Sequence, residues 1–236
     1  MKRLLMPLAI AFTLCFILIG CAPAPGEAIT VSAIPWPDEE EISYIIQDQE
    51  ENTIGSGNLT VAREGESYIL GQYWEAGEVK QTISIKVASD DLKPIRGNQT
   101  IVSPQGEFKI NATYSDSRLK IEAETPEGNQ TVEIDVPEDA YDNDEVLFLF
   151  RALPFEEGYQ AAYTNVVASA AQKPTVTITV IGKEQVEIPA ELFDCWKLEF
   201  NAAGQKIYMW YSIDSPHYLV KYDNGQSIIL LQEIME

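Results

Sequence analysis

The chain has 236 residues, with 16 Lys and Arg against 37 Asp and Glu, for a formal charge of −21. A surface this acidic repels nucleic acid and anionic lipid headgroups, which excludes a nucleic-acid binder or a polybasic membrane binder. Three cysteines exclude a disulfide-dense scaffold.

Residues 1–20 read MKRLLMPLAIAFTLCFILIG. Lys2 and Arg3 precede an apolar run from Leu4 to Ile19 broken only by Pro7 and Thr13, the pattern of a secretion signal. The run is shorter than the roughly 20 apolar residues of a spanning helix. It ends in Leu18-Ile19-Gly20-Cys21, which resembles the lipobox of bacterial lipoproteins. The resemblance implies a diacylglyceryl group on the Cys21 thiol and cleavage after Gly20, so that membrane lipid is a partner through Cys21. Cleavage there removes two basic residues and no acidic one, taking the charge from −21 to −23. One acyl chain anchors marginally and two anchor stably. With Cys15 cleaved off and Cys21 lipidated, Cys195 has no intramolecular disulfide partner, and the domain must rely on its core. About 190 residues suffice to build one.

Residues 21–41, CAPAPGEAITVSAIPWPDEEE, are rich in Pro, Ala and acid and read as a tether. A flexible tether of that length spans about 25 Å. Trp36 allows the alternative that the linker packs onto the domain. The β-rich domain is expected over 42–236.

From Ile42 the dominant signal is alternation with a period of two. Phe108, Ile110, Ala112 and Tyr114 share one face; so do Leu119, Ile121 and Ala123, then Val132, Ile134 and Val136, then Val176, Ile178 and Val180. Turn chemistry separates the runs, at Glu64-Gly65, Ala76-Gly77, Ser115-Asp116, Pro126 to Asn129, Ala203-Gly204 and Asp223-Asn224-Gly225. About a dozen strands result, more than a flat sheet carries without curling.

One segment departs from the rhythm. In 142–153, DNDEVLFLFRAL, Val146, Leu149, Phe150 and Leu153 fall at helical spacing. Asp142 is placed to be the N-cap, with Glu145 three residues on, and Pro154 ends the segment. A buried strand over Val146–Phe150 is the competing reading. As a helix it is apolar nearly all round and needs cover on several sides, which the hollow of a bent sheet supplies. The predicted fold is therefore mainly β: a strongly curved antiparallel sheet, half-barrel or barrel-like, with one main helix on its concave side. The late strands Ile207–Tyr211 and Ile228–Leu231 are apolar on both faces, so one face should meet the helix and the other a second layer or a ligand groove.

Three stretches, DEVLFLFRALPFEEGY from Asp144, VEIPAELFDCWKLEF from Val186 and YMWYSIDSPHYLVKYD from Tyr208, resemble a family of exported bacterial β-rich domains of unknown function, over roughly residues 42–234. That family often has Gly before the Phe of the first of these strands, where Glu191-Leu192 stand here. More distantly the pattern is similar to the half-barrel lipoprotein carriers of the outer-membrane sorting pathway, which implies a fold that can hold acyl chains against a helix.

Catalytic signals are weak. His217, the only histidine, lies in Asp214-Ser215-Pro216-His217, but closeness in sequence is not triad geometry and there is no nucleophile elbow. Cys195 points away from the face shared by Trp196, Leu198 and Phe200, and reads as a small buried hydrophobe. Asp139, Asp142, Asp144 and Glu145 lack a Gly-hinged calcium loop and read as helix-capping acids. No His and Cys have zinc spacing and no phosphate loop occurs, so no metal or cofactor is expected. The four Asn-x-Thr sequons, at Asn58, Asn98, Asn111 and Asn129, read as chance products of Thr- and Asn-rich strands. The expectation is a non-enzymatic envelope lipoprotein that binds an acyl or other apolar ligand in a groove lined by Phe148, Phe150, Trp196, Tyr208, Trp210, Tyr211, Tyr218 and Tyr222. The alternative is a scaffold that docks an envelope protein through its acidic surface.

Overall fold

The computed structural model describes residues 27–189, 191–202 and 204–235. The signal segment, Cys21 and residues 22–26 lie outside the described residues. After β1 (Glu27–Ala28), a first meander runs through β2 (Glu39–Gln47), β3 (Thr53–Glu64), β4 (Ser67–Ala76), β5 (Val79–Ala88), β6 (Pro94–Ser103), β7 (Gly106–Ser115), β8 (Arg118–Thr125) and β9 (Gly128–Asp135). The chain then forms β10 (Ala140–Asp142) and a helical segment. A second meander follows: β11 (Gln160–Val166), β12 (Thr175–Glu187), β13 (Leu192–Ala202), β14 (Gln205–Ser212), β15 (Leu219–Asp223) and β16 (Ile228–Met235).

Each of these strands pairs antiparallel with the next within its meander, and β16 pairs antiparallel with β2. The meanders thus fuse into one curved sheet, in the order β11 to β16, then β2 to β9. It does not close: β9 ends one side, while β1 and β10 lie parallel on β11 at the other. The turns expected from sequence join β3 to β4, β4 to β5, β7 to β8, β8 to β9, β13 to β14 and β15 to β16.

The inner face carries the expected alternation. Ile42, Tyr44 and Ile46 of β2 are fully buried, and the register sets Ile46 beside Ile229 and Tyr44 beside Leu231. Tyr44, Gly57 and Trp74 stand in line across β2, β3 and β4. A Cβ on Gly57 would come within 2.1 Å of the Trp74 ring, so glycine there lets the indole lie over the backbone.

The helical segment fills the hollow, in three pieces rather than one helix: a 3₁₀ turn (Asn143–Glu145), α1 (Val146–Leu149) and a second 3₁₀ turn (Phe150–Ala152). A segment this short gains little from helix propagation, so packing sets its shape, and 3₁₀ turns are common at such ends. Every residue from Val146 to Leu153 is at most 8 % exposed. Phe150 sits 6.1 Å from Phe200 and 6.3 Å from Tyr163, centroid to centroid. The competing strand reading for this segment is overturned. A smaller cluster of Ala112, Leu119, Ile121, Val136, Ala140 and Val166 fills the gap between β7–β8 and β10–β11.

The tether boundary also moves. Residues 27–38 are packed on the domain: β1 pairs with β11, the Ser32 amide donates to the Ala152 carbonyl at 2.9 Å, and Trp36 is buried edge-on against Tyr68 and Phe148. Burial of Trp36 acts together with Ile29, Val31 and Ile34, which pack on the same core, and with the β1–β11 pairing to offset the entropy lost in ordering the segment. Among the described residues no helix is long and apolar enough to cross a membrane.

Candidate functional site

Two places combine polar chemistry with an unusual position: the start of the helical segment and the seam where the sheet stays open. At the first, Asp142 caps the segment as the sequence predicts. Its side chain accepts from the Asp144 amide at 2.9 Å, and Glu145 Oε1 accepts from the Asp142 amide at 2.7 Å, a complete capping box. The Tyr114 hydroxyl of β7 donates to Asp142 Oδ2, and Gln72 of β4 donates to the Asp144 carbonyl. These bonds fix the start of the segment to β4 and β7 of the first meander.

The carboxyl groups are costly to bury as anions. Desolvation pushes Asp142 above the usual carboxylate range, though the Tyr114 hydrogen bond opposes it. Burial raises Glu145 well above that range, with the Asp142 charge adding to it. Its Oε2 has no hydrogen-bond partner among the described residues. Lys93 lies 3.7 Å from the Tyr141 ring centroid, and burial lowers its pKa. Asp139 accepts instead from the Thr164 hydroxyl at 3.2 Å. Asp139, Asp142 and one oxygen of Glu145 thus have local structural partners, and among the described residues no group of three or more His, Cys, Asp or Glu is placed to hold a metal ion.

At the seam, a solvent-open depression of about 560 Å³ is lined by Lys93, Tyr114, Arg118, Val136 and Glu138, among others. A second, of about 440 Å³, shares Arg118 and Val136 and extends to Thr164 and Lys173. Inside the hollow, the space beside α1 near Gln72, Trp74, Leu147 and Tyr222 is about 60 Å³.

The eight aromatic residues expected to line one groove separate into three groups. Phe148, Phe150, Tyr211 and Tyr222 are interior fill, with the Tyr211 hydroxyl donating to the Leu147 carbonyl at 3.1 Å. Trp196 stacks on Phe155 at the rim, 6.1 Å between centroids, while Tyr218 approaches the Arg151 guanidinium at 5.5 Å. Tyr208 and Trp210 are on the outer face, because they pair with Glu199 and Lys197 while Met209 pairs with inward Leu198. Among the described residues no second layer of strands or helices covers them there. Lys197 and Lys221 lie over the Trp210 ring at 4.8 and 4.9 Å, their stems shielding it, and Trp210 Nε1 donates to Glu184. Period-two reading identifies both faces as apolar but cannot say that lysine stems cover one of them.

Cys195 lies opposite Glu184 and Ser212, buried, and desolvation pushes its thiol up to about 12. His217 Nδ1 donates to the Ser212 carbonyl at 2.9 Å and its ring rests on Phe155. His217 thus holds the loop after β14 to the end of that strand, while Cys195 is a buried residue of β13.

The model of a family described as a protein of unknown function, DUF3108, matches residues 41–227. The chain belongs to the DUF3108 family. The matched region runs from β2 to the turn before β16, so the docked segment 27–38 and the joining strand β16 lie outside it. No functionally curated protein matches the chain. This DUF3108 domain is similar in fold to a β-barrel-like DUF1849 protein from Brucella abortus, with TM-score 0.53, 13% identity, and coverage of 83% of this chain and 96% of that one. Weaker likenesses are to a protein from Bacteroides fragilis described as exported, with a YmcC-like fold (TM-score 0.31, 13% identity), and to a protein from Parabacteroides distasonis described as a lipoprotein (0.33, 12%). Each covers 89% of this chain and 100% of its own.

Proposed function

We propose that the protein is an exported lipoprotein, held to a membrane through Cys21, whose domain is a non-enzymatic docking module for an envelope protein. The observation that carries the choice between docking and lipid carriage is the filled hollow. An acyl carrier needs a cavity of roughly 300 Å³ or more, whereas the space beside α1 is about 60 Å³. What remains for recognition is the outside, which is strongly acidic and open at the seam. Such a surface suits a basic partner and favours fast, salt-sensitive association.

The docked segment adds a geometric reason. Only residues 22–26 separate Cys21 from β1. Fully extended they reach about 20 Å, so an anchor at Cys21 holds the domain against the membrane, where it meets partners embedded in or bound to that surface.

Native mass spectrometry of the gently extracted protein and crosslinking in cells test this reading together. The expected result is a mass carrying only the N-terminal lipid, and a basic partner whose recovery falls as salt rises. An exchangeable second lipid in the domain, or no partner after crosslinking, overturns it. Cys21→Ser should release the protein from the membrane fraction.

A further inference from the structure

The two margins of the sheet are treated differently. On one side β11 is covered by the two-residue β1 and the three-residue β10, so its outward backbone groups are satisfied in part by short parallel strands. On the other side β9 runs for eight residues, and among the described residues no strand pairs with its far edge. Natural sheets guard such an edge with Pro, Lys, a bulge or a very short strand. GNQTVEID contains no Pro and no Lys, and its register with β8 is unbroken from Arg118–Asp135 to Thr125–Gly128. Lys173 takes the outward carbonyl of Asp135 at one end and Glu133 adds a charge, but the alternate N–H and C=O groups of residues 129–133 form a regular template.

The side chains around this edge say what would fit. Gln130, Val132 and Ile134 share the inner face with Leu119 and Ile121 of β8, and Val132 is 40 % exposed. The outer face of β8 and β9 carries Glu122, Glu124, Glu133 and Asp135 against Arg118 and Lys120. Lys120 is held by Glu122 at 2.8 Å and Asp135 faces Arg118 at 3.8 Å, which leaves Glu133 as the acid of β9 outside an ion pair among the described residues. An antiparallel second copy of β9 centred on Val132 would set Glu133 against Thr131 and Asp135 against Asn129, giving neither acid a cation across the pair. A strand with basic side chains outward and apolar ones inward complements both faces.

We infer that β9 is a strand-addition site for an extended segment of a partner protein whose side chains alternate basic and apolar. Main-chain hydrogen bonds supply affinity in this mode and the alternate side chains supply selectivity. The inference rests on the docking reading above and names its surface.

The test uses the mature chain and a fluorescent octapeptide of alternating Lys and Val, with a Glu–Val octapeptide as control. Saturable binding of the Lys–Val peptide is expected, at least tenfold tighter than the control, with slowed hydrogen exchange at residues 129–134. Val132→Lys, which places a charge on an already exposed edge position, should weaken binding at least tenfold; Glu133→Lys provides a second variant should the first fail to fold. No binding, binding without protection of β9, or equal binding of both peptides overturns the inference. In cells, a photocrosslinker at Thr131 of β9 and one at Thr82 on the outer face of β5 separate the two claims. A partner captured from Thr82 but not Thr131 leaves docking intact and removes strand addition.

Discussion

Arg151 and Glu40, 111 residues apart in sequence, form a two-point ion pair inside the molecule, with Nη1 to Oε1 at 2.6 Å and Nη2 to Oε2 at 2.9 Å. Their side chains are 1 % and 4 % exposed. Arg151 Nε also donates to the Pro216 carbonyl, and the guanidinium lies 5.3 Å from the Trp36 ring. One side chain thus ties the helical segment to β2, to the loop after β14 and to the docked N-terminal segment. Removing one partner strands a buried charge, so Arg151→Met or Glu40→Gln should cost about 3–5 kcal/mol in denaturant unfolding. Replacing both with apolar residues should recover part of that loss. Additive single and double effects would refute the coupling.

Trp36 closes one end of the hollow. Trp36→Ala should cost about 3–5 kcal/mol, the usual range for deleting a buried indole. It should also free the adjoining chain, making residues 27–38 the first site of limited proteolysis while the rest stays resistant. Unchanged cleavage would mean that β1 and the Ser32 hydrogen bond hold the segment without the indole.

The buried acids give stability a definite pH dependence. Asp142 and Glu145 have folded pKa values raised above their unfolded ones, so the folded state binds more protons. Their contribution is fully present below the unfolded values near 4 and is lost as pH rises through the raised folded values. Thermal stability should therefore fall from mildly acidic pH towards neutrality and above, and Asp142→Asn should flatten that slope. A stability that climbs over this range would contradict the assignment.

Cys195 should be chemically quiet. With its thiol pushed up to about 12 and its side chain buried, the native protein should react with iodoacetamide at neutral pH far more slowly than the urea-unfolded chain does. Comparable rates in the two states would show that the site opens.

Much of the architecture is legible in the residues themselves. Alternation marks β7, β8 and β12, and the capping pair Asp142 and Glu145 marks the start of the helical segment, because these signals are local. What escapes is decided by distant partners. Nothing near Trp36 says that Tyr68 and Phe148 will receive it, so a Pro-rich stretch looks like free linker. Nothing near Arg151 says that Glu40 will neutralise it within an otherwise apolar rod. The aromatic residues are visible, but their distribution between interior, rim and outer face depends on register, as in the pairing of Trp210 with Lys197. The open edge at β9 follows from strand order, which no single stretch encodes.

The pairing of β16 with β2 has a temporal consequence. β2 emerges early in synthesis, yet the neighbour that completes one of its sides is the last strand made. The β2–β9 meander can assemble locally, but the hollow cannot be walled until the carboxyl end arrives, and contacts so distant along the chain form slowly. A polypeptide built this way stays incompletely folded until β16 is available, and locks only when that strand seats on β2.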